Sequence, residues 1–585
     1  MKIEERGIEQ PRTSLAGAFS GLSFAALSLL CATLPFEFFS RFKLFDKPFT
    51  NLELIFFLVT ALSAITLMVQ VIKGGWKTVF AHRLVAGLFL AASFLVAIIS
   101  SLISPQKEAG LDWTWQFGLY IVFWLAVPLW LTIERIQFLT LILVVGGVIS
   151  ALFGFAEFFG LNLNGIFKEK PTNAGAFLRL SGSFSYANIA AMYYEMILAF
   201  AVGGWFVSLR KGKPWLITLL WLVACIILLE AIFLTYSRGA WLGLLGSLLL
   251  IGFIARRLFI LLSVLALGLW FFTFIFSPLM SLRLTPYSDQ EWYRAQYTYQ
   301  LPSSFDRCEK FVLNVTVTNT SPFTWEKSGQ YKINLTYHWL DADKNVYRFA
   351  VASSDLTNDL PPNSRQTLLI DLYVPEKTGD YFLVWDMHQA NISWFSLKSA
   401  KYEPIPVMVL GDDTKACSNS TPTNNYRYPP KLPDVLGSPS REQLWQAAVS
   451  MILERPLGGF GAGNFKFNYQ NYIVPKPEAV LARVHANNVY LELLSGIGIL
   501  GFTALGGFFW WVIRKLLITV WKEKVVSVID FVCLGVLVMW LAHGILDSFL
   551  EPHATAILFW LTLSFICFEP SKTHNPYNWG RIRLR

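Results

Sequence analysis

The side chains best suited to chemistry in this chain fall in five short polar stretches. The first is Arg179-Leu180-Ser181-Gly182-Ser183-Phe184, followed by Tyr186-Ala187-Asn188, and the second is Thr235-Tyr236-Ser237-Arg238-Gly239. Arginine carries a planar fork of donors that matches phosphate oxygens in pairs, so two arginines from separate loops can clamp one pyrophosphate. Taken singly, Arg179 reads as a solvated loop cation before an anion ligand, and Arg238 equally as one that snorkels to lipid head groups. The third stretch runs from Arg441 to Trp445 into Arg455-Pro456-Leu457-Gly458-Gly459-Phe460-Gly461-Ala462-Gly463-Asn464-Phe465. Its glycines permit close backbone approach to a ligand or to a neighbouring helix. No Gly-Lys-Ser/Thr follows, so nucleotide hydrolysis is unsupported. The fourth, Val484-His485-Ala486-Asn487-Asn488-Val489-Tyr490-Leu491-Glu492, places a histidine at the mouth of a helix, where an imidazole can take a proton near neutral pH. Last come His543, Asp547, Glu551 and His553. Their spacing resembles a metal site, but at a membrane edge such groups read better as a hydrogen-bonded scaffold, and no metal is assigned.

These stretches are carried by an apolar chain. Of its 585 residues 54% are hydrophobic and 15% charged, against about 25% charged in a soluble domain. Runs such as Leu15 to Phe36, Leu84 to Leu102 and Trp215 to Phe233 match the ~20 residues that cross a hydrocarbon layer. The pattern predicts an all-α polytopic membrane protein with about twelve spans. They lie near 14–36, 51–72, 84–104, 114–132, 137–159, 187–208, 215–235, 239–255, 258–277, 489–513, 527–547 and 554–569. The first reads as a retained anchor, because no small-residue cleavage site follows the charged start.

The 48 Lys and Arg against 39 Asp and Glu give +9, and the excess reads as a topology signal rather than a nucleic-acid surface. With the amino terminus inside, cytoplasmic segments hold about twenty Lys and Arg and short outside loops roughly eight. Both termini are therefore expected in the cytoplasm, and all five polar stretches at the outer face.

Between the ninth and tenth spans the chain changes character. Period-two alternation in Tyr331, Ile333, Leu335, Tyr337 and Trp339, in Leu368, Ile370 and Leu372, and in Tyr381, Leu383, Trp385 and Met387 predicts half-buried strands. The expected organisation is a membrane domain at 1–277, a connector at 278–299 and an extracytoplasmic all-β sandwich at 300–411. A linker at 412–440, a surface-helix and catalytic-loop region at 441–488, and the last spans with the cytoplasmic tail at 489–585 complete it. Cys308 and Cys417 flank the sandwich and are expected to form a disulfide in an oxidising compartment. Cys31, Cys225, Cys533 and Cys567 lie in apolar runs and read as free thiols. Trp325, Trp339, Trp385 and Trp394 read as core before sugar-stacking surface. Glu157, Glu195 and Glu230 lie in or near spans and keep open a second function, a proton-coupled transporter of lipid-linked glycan or another solute. No internal repeat supports it.

Arg179 to Asn188, Leu234 to Trp241, Arg455 to Phe465 and His485 to Gly501 together give the chain a likeness. It resembles the O-antigen ligase and polymerase family of bacterial membrane glycosyltransferases, with an immunoglobulin-like sandwich inserted. The resemblance implies a GT-C-type helical fold in the cytoplasmic membrane and an undecaprenyl-pyrophosphate-linked glycan as donor. It also implies a glycan, lipid-core or protein acceptor, and no nucleic acid, cofactor or essential metal. Arg179 and Arg238 are implied to hold the pyrophosphate as charge grows on it, and His485 to take the acceptor's proton in an inverting transfer. Ser183, Asn188, Ser237, Arg455, Asn487, Asn488, Tyr490 and Asp547 are expected to support them. One departure stands out. Alignment on Gly498 and Gly501 puts the family's histidine at Asn487, two residues after His485. Either His485 acts from a shifted position or another group is the base.

Overall fold

The computed structural model describes residues 15–44, 47–75, 83–163, 165–168, 173–174, 177–254, 256–276, 292–329, 331–390, 393–397, 402–414, 417, 432, 439–473, 484–523, 525–551, 553–568 and 581–583. The helices before the sandwich are α1 (Leu15–Thr33), α2 (Asn51–Gly74), α3 (Leu84–Ile103), α4 (Lys107–Ala126), α5 (Ile133–Glu157), α6 (Ala187–Arg210), α7 (Trp215–Leu234), α8 (Arg238–Ile254) and α9 (Arg256–Phe276). After it come α10 (Arg441–Glu454), α11 (Val489–Glu523), α12 (Val528–His543) and α13 (His553–Ile566). Side chains that satisfy the first free amides mark several starts. Thr50 and Glu53 form a capping box on α2, Ser440 and Gln443 one on α10, and Thr132 caps α5.

Helix α6 is the hub. Its apolar window is 89% buried, as a helix hydrophobic on every side must be, and it packs on α5, α7, α8, α12 and α13. The outer helices instead expose apolar side chains such as Trp215, Leu220, Leu249 and Leu267, which suits contact with lipid rather than water.

Every span expected from sequence falls on a helix, yet the count of twelve is not reproduced. Among the described residues six helices, α2, α3, α5, α6, α7 and α11, are long and apolar enough to cross a membrane. Helices α1, α8, α9, α12 and α13 are apolar but shorter in their described parts. Helix α4 begins at Lys107, not near 114, and carries Glu108 and Asp112 in its early turns. The acidic first turn suits the helix dipole, and polarity lets that end reach the surface.

The inserted unit consists of two sheets. One runs in the order Ser353–Asp355, Ile333–Leu340, Gly379–Gln389, Ile405–Leu410, Ser304–Asp306. Its neighbours are antiparallel except the last pair, which is parallel. The other runs Arg365–Tyr373, Lys310–Asn319, Ala295–Tyr299. Leu335, Tyr337, Trp339, Trp385 and Met387 of the first and Val315, Val317, Leu368 and Ile370 of the second share one buried cluster. The unit starts earlier than 300, because Ala295–Tyr299, assigned to the connector from sequence, pairs with Lys310–Asn319 in the register Ala295 to Asn319. Strand Ile333–Leu340 is buried at every position. Its second face is covered too, by Phe349 and Leu432 and by a polar group in which Asp386 accepts from Ser396 and pairs with His338 at 3.0 Å. Trp325, Trp339 and Trp385 are core, and Trp394 stacks on His388. Cys308 and Cys417 are joined as a disulfide, and the four remaining cysteines are free and buried.

Candidate functional site

The glycine-rich stretch after α10 docks on a break in α11. Gly498 has φ 62 and ψ −175, a conformation outside the helix that glycine adopts without steric cost. Backbone bonds then stitch the two segments: Phe460 N donates to Ser495 O at 2.9 Å, Gly461 N to Gly496 O at 2.9 Å, and Ile499 N to Pro456 O at 2.8 Å. A Cβ on Gly498 would lie 2.3 Å from Leu457 O, and one on Gly459 2.4 Å from Gly496 O. Of the two uses open to these glycines, the structure shows backbone packed on a neighbouring helix. Ser100 of α3 completes the joint, donating to Gly496 O and accepting from Gly461 N. Arg455 closes α10 and lies over the Phe460 ring at 4.5 Å.

Past the break stands His485. Asn488 starts α11 by accepting from Tyr490 N and Leu491 N, each at 3.0 Å, and donates to Ile545 O at 3.0 Å. Tyr490 OH donates to Leu541 O at 2.6 Å, which ties α11 to α12. Asn487 takes a left-handed conformation, φ 49, that asparagine tolerates better than most residues. His485 is thereby set between two carboxylates, with Nδ1 3.4 Å from Glu492 Oε1 and Nε2 3.1 Å from Glu551 Oε2. Burial acts against the charged ring, but bonds and charge from Glu492 and Glu551 outweigh it and push the imidazole up to about 10. Glu551 also accepts from Lys466 Nζ at 2.6 Å. The surrounding cleft is lined by Trp113, Ala462, Gly463, Gly496, Ser548 and Leu550 among others.

The arginine side is built differently. Arg179 donates through Nε to Thr235 O at 2.8 Å and through its guanidinium to Asn188 Oδ1 at 2.7 Å. Asn188 Nδ2 in turn donates to Asp547 Oδ2 at 2.6 Å. The Ser548 amide donates to Asp547 Oδ1 at 2.9 Å, and Arg441 and Arg179 add positive charge around the carboxylate. Leu180 N donates to Leu234 O, so the loop carrying Arg179 lies against the turn carrying Arg238. Ser237 Oγ lies 3.2 Å from His543 Nε2, whose Nδ1 lies 2.6 Å from Glu195 Oε2, with both His543 and Glu195 fully buried. Gly239 is packed so tightly on that ring that a Cβ would fall 2.1 Å from His543 Cδ2. Arg238 itself is exposed at the start of α8. Ser183 points inward, to Ser150 Oγ at 2.7 Å and to Pro35 O, so it braces the loop from beneath.

One segment, from His543 to Glu551, touches all of these parts. His543 meets Ser237, Ile545 meets Asn488, Asp547 meets Asn188, and Glu551 meets His485. The carboxylates and histidines of that segment are divided among separate partners, and His553 just beyond it goes to Glu37 at 2.8 Å and Glu53 at 3.3 Å. Among the described residues no group of three or more potential ligands could hold a metal. The carboxylates that suggested a transporter are partnered as well: Glu157 with Lys168, Glu195 with His543, and Glu230 with Thr273 at 2.9 Å. Lys466 was missed from sequence, and Glu492 and Arg441 lay inside the stretches singled out but were given no role. Only the tertiary fold gives them meaning: the chain turns through Asn487 between His485 and the helix that carries Glu492, so no helical spacing relates the two.

Residues 433–506 match the family model described as O-Antigen ligase. The O-antigen ligase match runs through α10, the glycine joint and His485 into α11, and supports the O-antigen ligase and polymerase family for the chain. At the general level that family implies a membrane glycosyltransferase or ligase acting on glycans. No curated protein matches the chain. Among solved structures it is similar to the Pseudomonas fluorescens alkylpurine DNA glycosylase AlkC bound to DNA containing an abasic site analog. That likeness has 9% identity and a TM-score of 0.14 over 56% of this chain and 99% of that one. At that score it carries no argument.

Proposed function

We propose that this protein transfers a glycan from undecaprenyl pyrophosphate to an acceptor hydroxyl at the outer face of a bacterial cytoplasmic membrane, without a metal and with inversion. Both termini would lie in the cytoplasm, with the sandwich and the site on the far side. The observation that carries the reading is the shared segment 543–551, which links Arg179, through Asn188, to His485, through Glu551. Arg179 and Arg238 lie on adjoining loops and supply the fork geometry that suits pyrophosphate. Their fixed positive charge favours the state in which charge has moved onto the leaving oxygens. Pyrophosphate is a weak base and leaves without an acid. The His485 cleft is on the acceptor side, where a proton must be disposed of. The domain limits expected from sequence carry over, with the sandwich taken from 295 rather than 300.

The test uses purified full-length protein, an undecaprenyl-pyrophosphate-linked glycan and candidate acceptors, with products read by mass spectrometry. A new glycosidic bond with release of undecaprenyl pyrophosphate is expected, at a rate unchanged by chelators. Movement of the lipid-linked glycan across a vesicle with no new bond would support the transporter instead.

A further inference from the structure

His485 is clamped in a way that bears on where the acceptor's proton goes. Each imidazole nitrogen faces a carboxylate oxygen, an arrangement only the doubly protonated ring satisfies. The charged groups facing this site are Glu492 from α11, Glu551 from the link to α13, and Lys466 from the single turn Phe465–Asn468. A ring so held offers no lone pair to an incoming hydroxyl. Glu551 does. A carboxylate has about four acceptor positions, and His485 and Lys466 occupy one on each oxygen. Both carboxylates line the cleft, but Glu551 is partly exposed whereas Glu492 is buried.

We propose that the carboxylate of Glu551, aimed by His485 and Lys466, receives the proton of the acceptor hydroxyl in the glycan transfer proposed above. The acceptor oxygen bonds to the anomeric carbon while the bond from that carbon to the pyrophosphate oxygen breaks. The pyrophosphate departs with that electron pair. The electrons of the O–H bond stay on the acceptor oxygen, and its proton passes to Glu551 and from there to water. A modest base suffices, because an alcohol oxygen bonded to a glycosyl carbon is a far stronger acid than any carboxylic acid. Placement therefore matters more than basicity, and carboxylates serve as the general base in inverting glycoside chemistry. Burial would raise the Glu551 carboxyl, but bonds and charge from His485 and Lys466 bring it down to about 2, so it stays ionised at neutral pH. His485 and Lys466 are then positioning residues for Glu551.

The inference rests on the glycan-transfer reading, and one set of assays separates the two. With full-length protein and lipid-linked donor, Glu551→Gln is expected to lower kcat by about 100-fold or more, within the range of general-base effects. Donor binding and a monodisperse folded protein in detergent should be kept, with the unfolding midpoint lowered by the loss of the Glu551 ion pairs. Glu551→Asp should recover part of the rate, and His485→Gln, which still donates to Glu551, should remain at least tenfold faster than Glu551→Gln. Turnover by Glu551→Gln at the wild-type rate would overturn the proposal. So would the reverse order of Glu551→Gln and His485→Gln, or a wild-type kcat climbing about tenfold per pH unit above neutrality, which would give the proton to neutral His485. A wild-type protein that moves no glycan would overturn the functional reading first and this inference with it.

Discussion

His485 can be followed through its effect on stability. Its folded pKa, near 10, lies above the unfolded value of about 6.5. Folding is therefore favoured by proton binding at this site. That contribution is fully present below about pH 6.5 and is lost as pH rises through 10. Glu551 behaves oppositely: its stabilisation is present above the ordinary carboxylate range and fades as pH falls toward 2. Thermal unfolding in detergent between pH 6 and 10 should thus show a loss of stability at alkaline pH that is smaller in His485→Gln. Equal alkaline slopes in the two proteins would remove the carboxylate clamp from the account.

The joint between the glycine loop and α11 makes a paired prediction at the scale of elements. Gly498→Ala must hold an L-residue at positive φ and force a methyl onto Leu457 O. A loss of about 3 kcal/mol or more follows from the two effects together. Gly458 has open space around the position a Cβ would take, so Gly458→Ala should stay within about 0.5 kcal/mol. Midpoints of thermal unfolding for both variants check the pair, and an unfolded-like Gly458→Ala would show that the loop does not dock as described. The elements themselves were legible in the sequence because their periods are strong: twelve apolar runs became helices, and alternation around Tyr337, Leu368 and Leu383 became strands. The break at Gly498 was not, since Gly496, Gly498 and Gly501 read as helix packing until a second segment is seen lying against them. Burial of the polar face of Ile333–Leu340 was hidden for the same reason, its cover coming from residues far along the chain. At the site, residue types were legible and partners were not. Arg179, His485 and Asp547 stood out by chemistry at a membrane edge, whereas Lys466 looks like an ordinary surface cation until the 543–551 segment brings Glu551 to it.

Across the whole molecule the sandwich is seated on the site rather than tethered beside it. Tyr236, buried and at positive φ, joins the same apolar cluster as Trp292, Trp325 and Trp339, and Leu234 and Trp241 pack against it. The turn that carries Ser237 and Arg238 is therefore pressed between α12 and the β unit. Deleting 295–410 with a short flexible replacement should leave the His485 cleft formed but loosen that turn. Turnover is expected to fall roughly tenfold, about 1.4 kcal/mol, without vanishing, whereas a protein whose β unit does the work would keep none. The central claim is that the arginine loops and the acceptor cleft act on one lipid pyrophosphate, and its most direct measurement is glycan transfer by purified Arg179→Ala against the control Arg210→Ala, an exposed arginine at the far end of α6. The account predicts that Arg179→Ala loses about 100-fold or more in kcat, as removal of one charge-stabilising donor does, with Arg210→Ala unchanged. Equal, wild-type rates for the two would contradict it.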